Sequence, residues 1–455
     1  MGVSDHVTPL SAVKAALART VPEGAAALLA ASGGPDSTAL MYLVAEARPD
    51  LRLSAGHVRH GLRDDAVDAQ IAAGHATALG CAYLERRVTV DSRAPAGLEA
   101  AARDARYEAL AEMAASVDAS YLLVGHTSDD QAETVLLNIA RGSGLPGLAG
   151  MREARALGAG LTVVRPLLGL ERDAVRAICA ERGLRVACDP TNADVTRRRA
   201  RGRHETLPAL AQLTGHPEGT AGLVRALNRL AAHARDDADA LDQLAGVEAA
   251  RLVVAWGKAR VVSIRALHEL PRALGSRVVR RMLADIRADG KGTQGLDAES
   301  VHRVLALRSG EALHVTGGTW VTAGGGWLGA VPAGCGDLRE RPLAVPGRTP
   351  IPELGAVVIT GTAAEGAPDP LCPPGMRAGA CGTVPAVAGL VVRSWRPGDR
   401  LTGRSSTGVL ASVPRALRGL IPVVAREGEV CWVAGLGQSH GAGGGVPVSL
   451  VRAGA

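Results

Sequence analysis

Alternating apolar runs and helical patterns over residues 24 to about 190 predict an α/β protein built on a parallel sheet. Two further observations extend that reading. A glycine-rich turn, SGGPDS (Ser32–Ser37), lies where the first strand gives way to a helix. Beyond about residue 190 the composition changes, first to a mainly helical pattern and then to short strands with Gly and Trp. The 455 residues suffice for roughly three domains of about 150 each. The expected partition is 1–215 for the α/β domain, 216–335 for a mainly helical domain, and 336–455 for a small α+β domain, with a Pro/Gly-rich linker at 367–382.

Within the first part, the expected strands are Ala26–Ala31, Leu51–Val58, Ala82–Val88, Tyr121–Gly125 and Thr162–Arg165. Helical patterns lie between and after them, at Ser37–Glu46, Asp64–Leu79, Gly97–Ala115, Asp129–Arg141 and Glu171–Arg182. On such a sheet ligands bind beyond the carboxyl ends of the strands. A basic cluster, RRRARGRH (Arg197–His204), follows, and the stretch from Glu218 to about Ala288 reads as helical. Strands are expected from Leu313 to Ala330 and again from about 388, where VVRSWRPGDR and VCWVAGLGQ are the most regular.

No apolar run approaches the ~20 residues of a membrane span. The first residues lack a basic-then-apolar leader pattern, so a cytoplasmic location is expected. The seven cysteines form no CxxC pair, which argues against a disulfide framework and against zinc or iron–sulfur ligation. Of 51 basic residues only Lys14, Lys258 and Lys291 are lysines. The net charge of +6 permits a polyanionic partner without requiring one.

The SGGPDS turn carries the chemistry. Backbone N–H groups converge at such a helix N-terminus and make an anion site. Gly33 and Gly34 let the backbone come close, Ser32 and Ser37 add hydroxyls, and Pro35 fixes φ at the helix start. Asp36 is the unusual member, because a carboxylate beside phosphate repels it unless a cation such as Mg²⁺ intervenes. A plain strand-to-helix turn capped by Ser or Asp has a similar composition, so these residues alone leave both readings open. The lysine of a GxxxxGK[ST] phosphate loop is missing.

The stretch resembles the SGGxDS signature of PP-loop ATP pyrophosphatases, which adenylate a substrate oxygen and release pyrophosphate. HVRHGLR (His57–Arg63), LEAAARDARYEAL (Leu98–Leu110), GHTSDDQAETVLLNIARGSGLPGLAGM (Gly125–Met151), RPLL (Arg165–Leu168) and DPTNAD…RARGRHETLPAL (Asp189–Leu210) narrow the likeness. In this order they resemble the tRNA(Ile)-lysidine synthetase family over about residues 24–210, and the likeness returns at VRSWRPGDRL and VPRALRGLIPVV…WVAGLGQ.

The resemblance implies an enzyme that uses ATP, Mg²⁺ and free L-lysine on a tRNA(Ile) with a CAU anticodon. In that reaction the wobble cytidine is adenylated and lysine then displaces AMP. It implies that Ser32, Gly33, Gly34, Pro35, Asp36 and Ser37 bind ATP, with Asp36 also holding the metal. Arg106 would neutralise the α-phosphate. His126, Asp130 and Glu133, with Asp129, would bind a cation or the lysine ammonium, or take a proton from the amine. Asp130 and Glu133, three apart, share a helix face. Arg199, Arg201, Arg203 and His204 would grip tRNA. Arg59, Ala200 and Gly202 depart from the residues usual in the family, and the basic segment that usually precedes VPR is shortened. These departures bear on tRNA contacts more than on ATP chemistry. Other expectations compete: a PP-loop tRNA thiolase, disfavoured by the absence of CxxC, and a tRNA-binding protein with decayed catalysis, disfavoured by Asp36 and the glycines. GMP and NAD synthetases fit the motifs less well. Oligomeric state is left open between monomer and homodimer.

Overall fold

A computed structural model of the protein describes residues 8–59, 65–90, 97–158, 160–187, 198–287, 296–365, 381–397, 399–401, 410, 413–435 and 445–453. The chain divides into two compact units, Met1–Ala238 and Asp239–Ala455.

The first unit opens with α1 (Pro9–Thr20), capped by the Thr8 side chain, which accepts from the Ser11 N–H. Then come β1 (Ala26–Ala30), α2 (Pro35–Ala47), β2 (Arg52–Arg59), α3 (Ala66–Ala78), β3 (Ala82–Arg87), α4 (Leu98–Ser116), β4 (Tyr121–Leu123), α5 (Ser128–Ala140), α6 (Leu145–Leu148), β5 (Ala154–Ala156), β6 (Thr162–Val164) and α7 (Arg172–Glu181). The strands form one six-stranded sheet in the order β3-β2-β1-β4-β6-β5. All neighbours are parallel except the edge pair β5–β6. The five expected strands are present; four are shorter at the C-terminal end by one or two residues, and β2 is displaced by one residue, running Arg52–Arg59. β5, only three residues long, carries no sequence signal of its own.

Strand β1 shows why the sheet is covered on both faces. Ala27 and Leu29 pack into a core shared with α1, α2 and α7, whereas Ala26 and Leu28 pack into a second core against α4. A strand buried on both sides reads as an unbroken apolar run, and AALLA is one. The order of the sheet reverses direction at β1, with β2 on one side and β4 on the other. The carboxyl ends of β1 and β4 therefore flank the switch-point crevice where ligands bind in such folds.

After α7 the described chain resumes with α8 (Arg198–Arg201), a π-helical turn (Gly202–Thr206), α9 (Leu207–Leu213) and α10 (Gly219–Leu252). α9 and the start of α10 pack through Leu207, Ala211 and Leu223 against Leu136 of α5.

In the second unit, the helical pattern expected over Glu218–Ala288 is interrupted by a hairpin of β7 (Val254–Trp256) and β8 (Ala259–Ser263). Its turn uses Gly257 at φ +57°. Helices α11 (Ile264–Glu269), α12 (Arg272–Ala284) and α13 (Ala298–Leu305) follow, then β9 (Ala312–Val315), β10 (Thr319–Gly324) and β11 (Trp327–Pro332). β7 to β11 form one antiparallel sheet in the order β7-β8-β11-β10-β9. The segment expected to be mainly helical thus carries a five-stranded sheet as well. VVAWGKARVV misleads because its apolar residues fit a helical and a strand period equally over so short a run.

Further on, β12 (Arg341–Pro342), β13 (Gly347–Ile351), β14 (Ala356–Thr360), α14 (Thr362–Glu365), β15 (Cys381–Val384), β16 (Val391–Arg393), β17 (Arg400–Leu401), β18 (Val423–Arg426), β19 (Glu429–Val433) and β20 (Val446–Arg452) make two more sheets. Only part of VVRSWRPGDR is a strand. Val391–Arg393 and Arg400 are its strand residues, and Arg393 makes a bidentate ion pair with Asp399 at 2.6 and 2.8 Å. Most of the expected linker at 367–382 lies outside the described residues, as do His60 and most of the shortened basic segment before Val413.

Candidate active site

The SGGPDS turn joins β1 to α2 with Gly34 as the helix N-cap and Pro35 at its first position. Gly34 offers no side chain to cap the helix, so the first-turn N–H groups stay available to an anion. Ser37 holds the turn: its hydroxyl donates to the Gly34 carbonyl at 2.9 Å and lies 2.9 Å from the Ser32 hydroxyl. Gly33 sits at φ +80°, and a Cβ there would meet the Asp68 carbonyl oxygen of α3 at 2.6 Å. Gly125, just past β4, is needed for a different approach, since a Cβ would come within 2.9 Å of the Asp36 carbonyl oxygen. Glycine at 33 and 125 thus lets three pieces of backbone close around the crevice.

Asp36 lies in the first turn of α2. One of its carboxylate oxygens is buried and has no hydrogen-bond partner. Burial raises its carboxyl and Asp130 adds to this, against the opposing pull of Arg172, Arg176 and Arg203. The unpartnered oxygen of Asp36 could hold a cation, and a divalent ion between a carboxylate and phosphates fits that place. Among the described residues no group of three His, Cys, Asp or Glu forms a metal cage of its own.

α5 begins beside this turn and brings three carboxylates together. Asp129 accepts from the Arg172 backbone N–H at 2.8 Å and so caps α7. One oxygen of Asp130 accepts from the Thr127 N–H at 2.9 Å and lies 3.1 Å from its hydroxyl, which makes it the reciprocal partner in a capping box. Its other oxygen receives the Arg172 guanidinium at 2.8 Å. Glu133, only 2% exposed, receives Arg203 at 2.8 Å and Arg172 at 3.4 Å through one oxygen, while its second oxygen has no partner. Burial acts to raise the Asp130 carboxyl, but Arg172, His126, the Thr127 N–H and Arg203 together hold it below the ordinary range.

Arg172 was invisible as a site residue in the sequence. It follows Glu171 in a surface-like amphipathic helix, yet it is 6% exposed and ties Asp129, Asp130 and Glu133 into one array. The π-helical turn explains Arg203: one extra residue per turn rotates it toward α5, whereas Arg201 and His204 lie exposed. Arg199 is half-buried and near enough to act on the charge of Arg106. The four residues expected to grip tRNA are therefore divided, with Arg203 in the acidic array.

On the α4 side of the crevice the charge is reversed. Arg106 and Arg103 lie over the Tyr107 ring at 5.6 and 5.1 Å. Burial, then the other arginines, depress both Arg106 and Arg165 below the usual guanidinium range. His126, just past β4, is pushed down to about 3, first by burial and then by Arg165, Arg106 and Arg103 against the opposing pull of Asp130. It is a neutral imidazole near pH 7, with a buried Nδ1 that has no partner.

The long GHTSDDQAETVLLNIARGSGLPGLAGM stretch splits into chemistry and scaffolding. Gln131 exchanges two hydrogen bonds with the Met151 backbone, at 2.7 and 3.0 Å, and Asn138 donates to the Gly147 carbonyl at 2.8 Å. These amides fold the following loop back onto α5. Arg235 of α10 clasps the same loop through the carbonyls of Ala149 and Met151.

Comparison with known proteins agrees with this geometry. A PP-loop domain matches residues 10–210. The tRNA(Ile)-lysidine synthase of Streptomyces coelicolor is 40% identical over 68% of this chain and 86% of its own length. That of Salinispora tropica is 43% identical over 59% and 84%, and that of Symbiobacterium thermophilum 33% identical over 90% and 89%. The chain belongs to the tRNA(Ile)-lysidine synthase family. It is accordingly an enzyme, an ATP-using ligase on a PP-loop fold, and lysidine formation in tRNA is the activity its family is named for. Among the described residues no helix is long and apolar enough to cross a membrane.

Proposed function

We propose that the chain joins free L-lysine to C2 of the wobble cytidine of a tRNA(Ile) with a CAU anticodon, turning an AUG reader into an AUA reader. The observation that carries the reading is the meeting, at one switch point, of an uncapped glycine-rich helix start with an array of carboxylates and guanidinia. The first suits ATP phosphates. The second suits a substrate that carries an ammonium and a carboxylate of its own, because its fixed charges alternate in sign.

On this reading the cytosine oxygen attacks the α-phosphorus, pyrophosphate leaves, and the ε-amine of lysine attacks C2 and expels AMP with that oxygen. The Ser32–Ser37 turn binds the phosphates. Asp36 would hold Mg²⁺, which supplies charge neutralisation on ATP when bound. Arg106 faces the charge that develops at the α-phosphate. Lysine arrives as an ammonium and must lose protons; Glu133, with one unpartnered oxygen, and Asp130 are the bases at hand. His126, held neutral, serves as a hydrogen-bonding group without adding charge. Arg199, Arg201 and His204, with residues 216–335 and 336–455, are assigned to tRNA. The described cysteines 81, 179, 335 and 431 are free thiols dispersed through the chain, which favours lysine transfer over sulfur transfer.

The test uses purified protein, Mg-ATP, radiolabelled lysine and unmodified transcripts. Lysine is expected to enter tRNA(Ile) with CAU and not the methionine tRNA with the same anticodon. ATP consumption without lysine incorporation would point to a different nucleophile and overturn the reading.

A further inference from the structure

Arg165 follows β6 at the carboxyl edge of the sheet and is 3% exposed. Its Nη1 donates to the Arg152 carbonyl at 2.7 Å, but its Nε is buried with no partner. Among the described residues neither Arg165 nor Arg106 pairs with a carboxylate, in contrast to Arg172 and Arg203 across the crevice. Tyr107, on α4, is buried, and its oxygen opposes the effect of the neighbouring arginines on Arg165, so the group beside this guanidinium is a neutral phenol and not a carboxylate. The cations acting on Arg165 are Arg155 and Arg103, and those acting on His126 are Arg165, Arg106 and Arg103; Asp130 is the one carboxylate among the groups acting on either. An unpaired buried cation is expensive, and several together are more so. Such a group is kept where an anion completes it, and a fork-shaped guanidinium matches phosphate best.

We propose that Arg165, with Arg106 and Tyr107, forms a second phosphate subsite, on the side of the crevice opposite the carboxylate array. It is a different site from the Ser32–Ser37 turn, because it is built from the end of β6 and from α4. The inference rests on the reading of the crevice as an ATP and tRNA site. Two sources of phosphate fit: the pyrophosphate that leaves ATP, and a backbone phosphate of the tRNA.

The experiment compares full-length wild type with Arg165→Gln by thermal unfolding against added inorganic pyrophosphate, and by filter binding of the tRNA over a range of salt. Pyrophosphate is expected to raise the Tm of the wild type. If that rise shrinks in Arg165→Gln and KM for Mg-ATP increases about tenfold while tRNA affinity holds, the subsite takes the pyrophosphate. If the rise is kept and tRNA affinity falls about tenfold with a shallower salt slope, it takes the tRNA backbone. If neither response moves relative to each protein's own ligand-free Tm, Arg165 binds no phosphate and the proposal is overturned. Should Arg165→Gln fail to fold, Arg165→Lys decides, since it keeps charge but loses the fork. A partial loss of either response is expected, and responses equal to the wild type in both overturn the proposal. The pyrophosphate arm involves no lysine and no tRNA, so failed lysine incorporation with an intact pyrophosphate response would count against the function alone.

Discussion

Asp36 and His126 illustrate how burial sets chemistry at single residues. Asp36 keeps one oxygen unpartnered in a place where burial opposes its charge. Asp36→Ala is expected to abolish tRNA-dependent ATP–pyrophosphate exchange, a loss of at least 10²-fold, while tRNA binding stays within twofold of wild type. Full exchange in that variant would remove Asp36 from the metal role. His126 makes the opposite trade. Its imidazole titrates near 6.5 when unfolded and near 3 in the fold, so the unfolded chain binds the extra proton across that window. Stability from this group is complete above pH 6.5 and drains away as the pH falls toward 3. His126→Gln is therefore expected to flatten the decline of unfolding free energy with acidity between those limits. Denaturant midpoints at several pH values read this directly; identical slopes in the two proteins would contradict the burial argument.

Among the elements, what was legible follows from how local each signal is. The five parallel strands and their helices came from runs such as AALLA, whose pattern is decided by burial on both faces. The SGGPDS turn was legible because its glycines answer backbone constraints, at Gly33 through φ and through the approach of α3. Arg172 and Arg165 were not, because nothing local separates a buried arginine from an exposed one; only the fold, which brings the start of α7 against α5 and buries the residue after β6, sets them apart. Arg203 was misdirected by its neighbours. A run of arginines reads as one face, and the π-helical turn at Gly202–Thr206 rotates one member inward. The α5 loop offers a test at this scale. Gln131→Ala removes both bonds to Met151 and is expected to lower stability by about 1–3 kcal/mol in chemical unfolding, with little change in KM for ATP. A rise in KM without loss of stability would mean that Gln131 touches substrate.

For the whole molecule, charge is the relevant property. A net +6 carried almost wholly by arginine permits a polyanionic partner without requiring one. Replacing Arg199, Arg201 and Arg203 together with Ala is expected to weaken tRNA binding and to flatten its salt dependence. Because Arg203 is engaged with Glu133, the slope should change by roughly two arginines' worth, about 1.4–1.8 in log–log units. An unchanged slope would return the cluster to the status of a solvated surface.

On the proposed function, the crevice holds an activated base next to the protein's own side chains. An adenylated cytidine is an electrophile, open to capture by any nearby amine or thiolate. The cations around the crevice include Arg103, Arg106, Arg165, Arg172, Arg176 and Arg203, whose guanidinia stay protonated and do not attack at neutral pH. His126 is too weakly basic to compete well, and Cys179, against the Pro35 carbonyl, is kept a thiol by burial. The described lysines, Lys14 and Lys258, sit exposed on α1 and on the β7–β8 turn. On the proposed function, the described groups around the crevice are ones that would not take the place of a lysine arriving from solution.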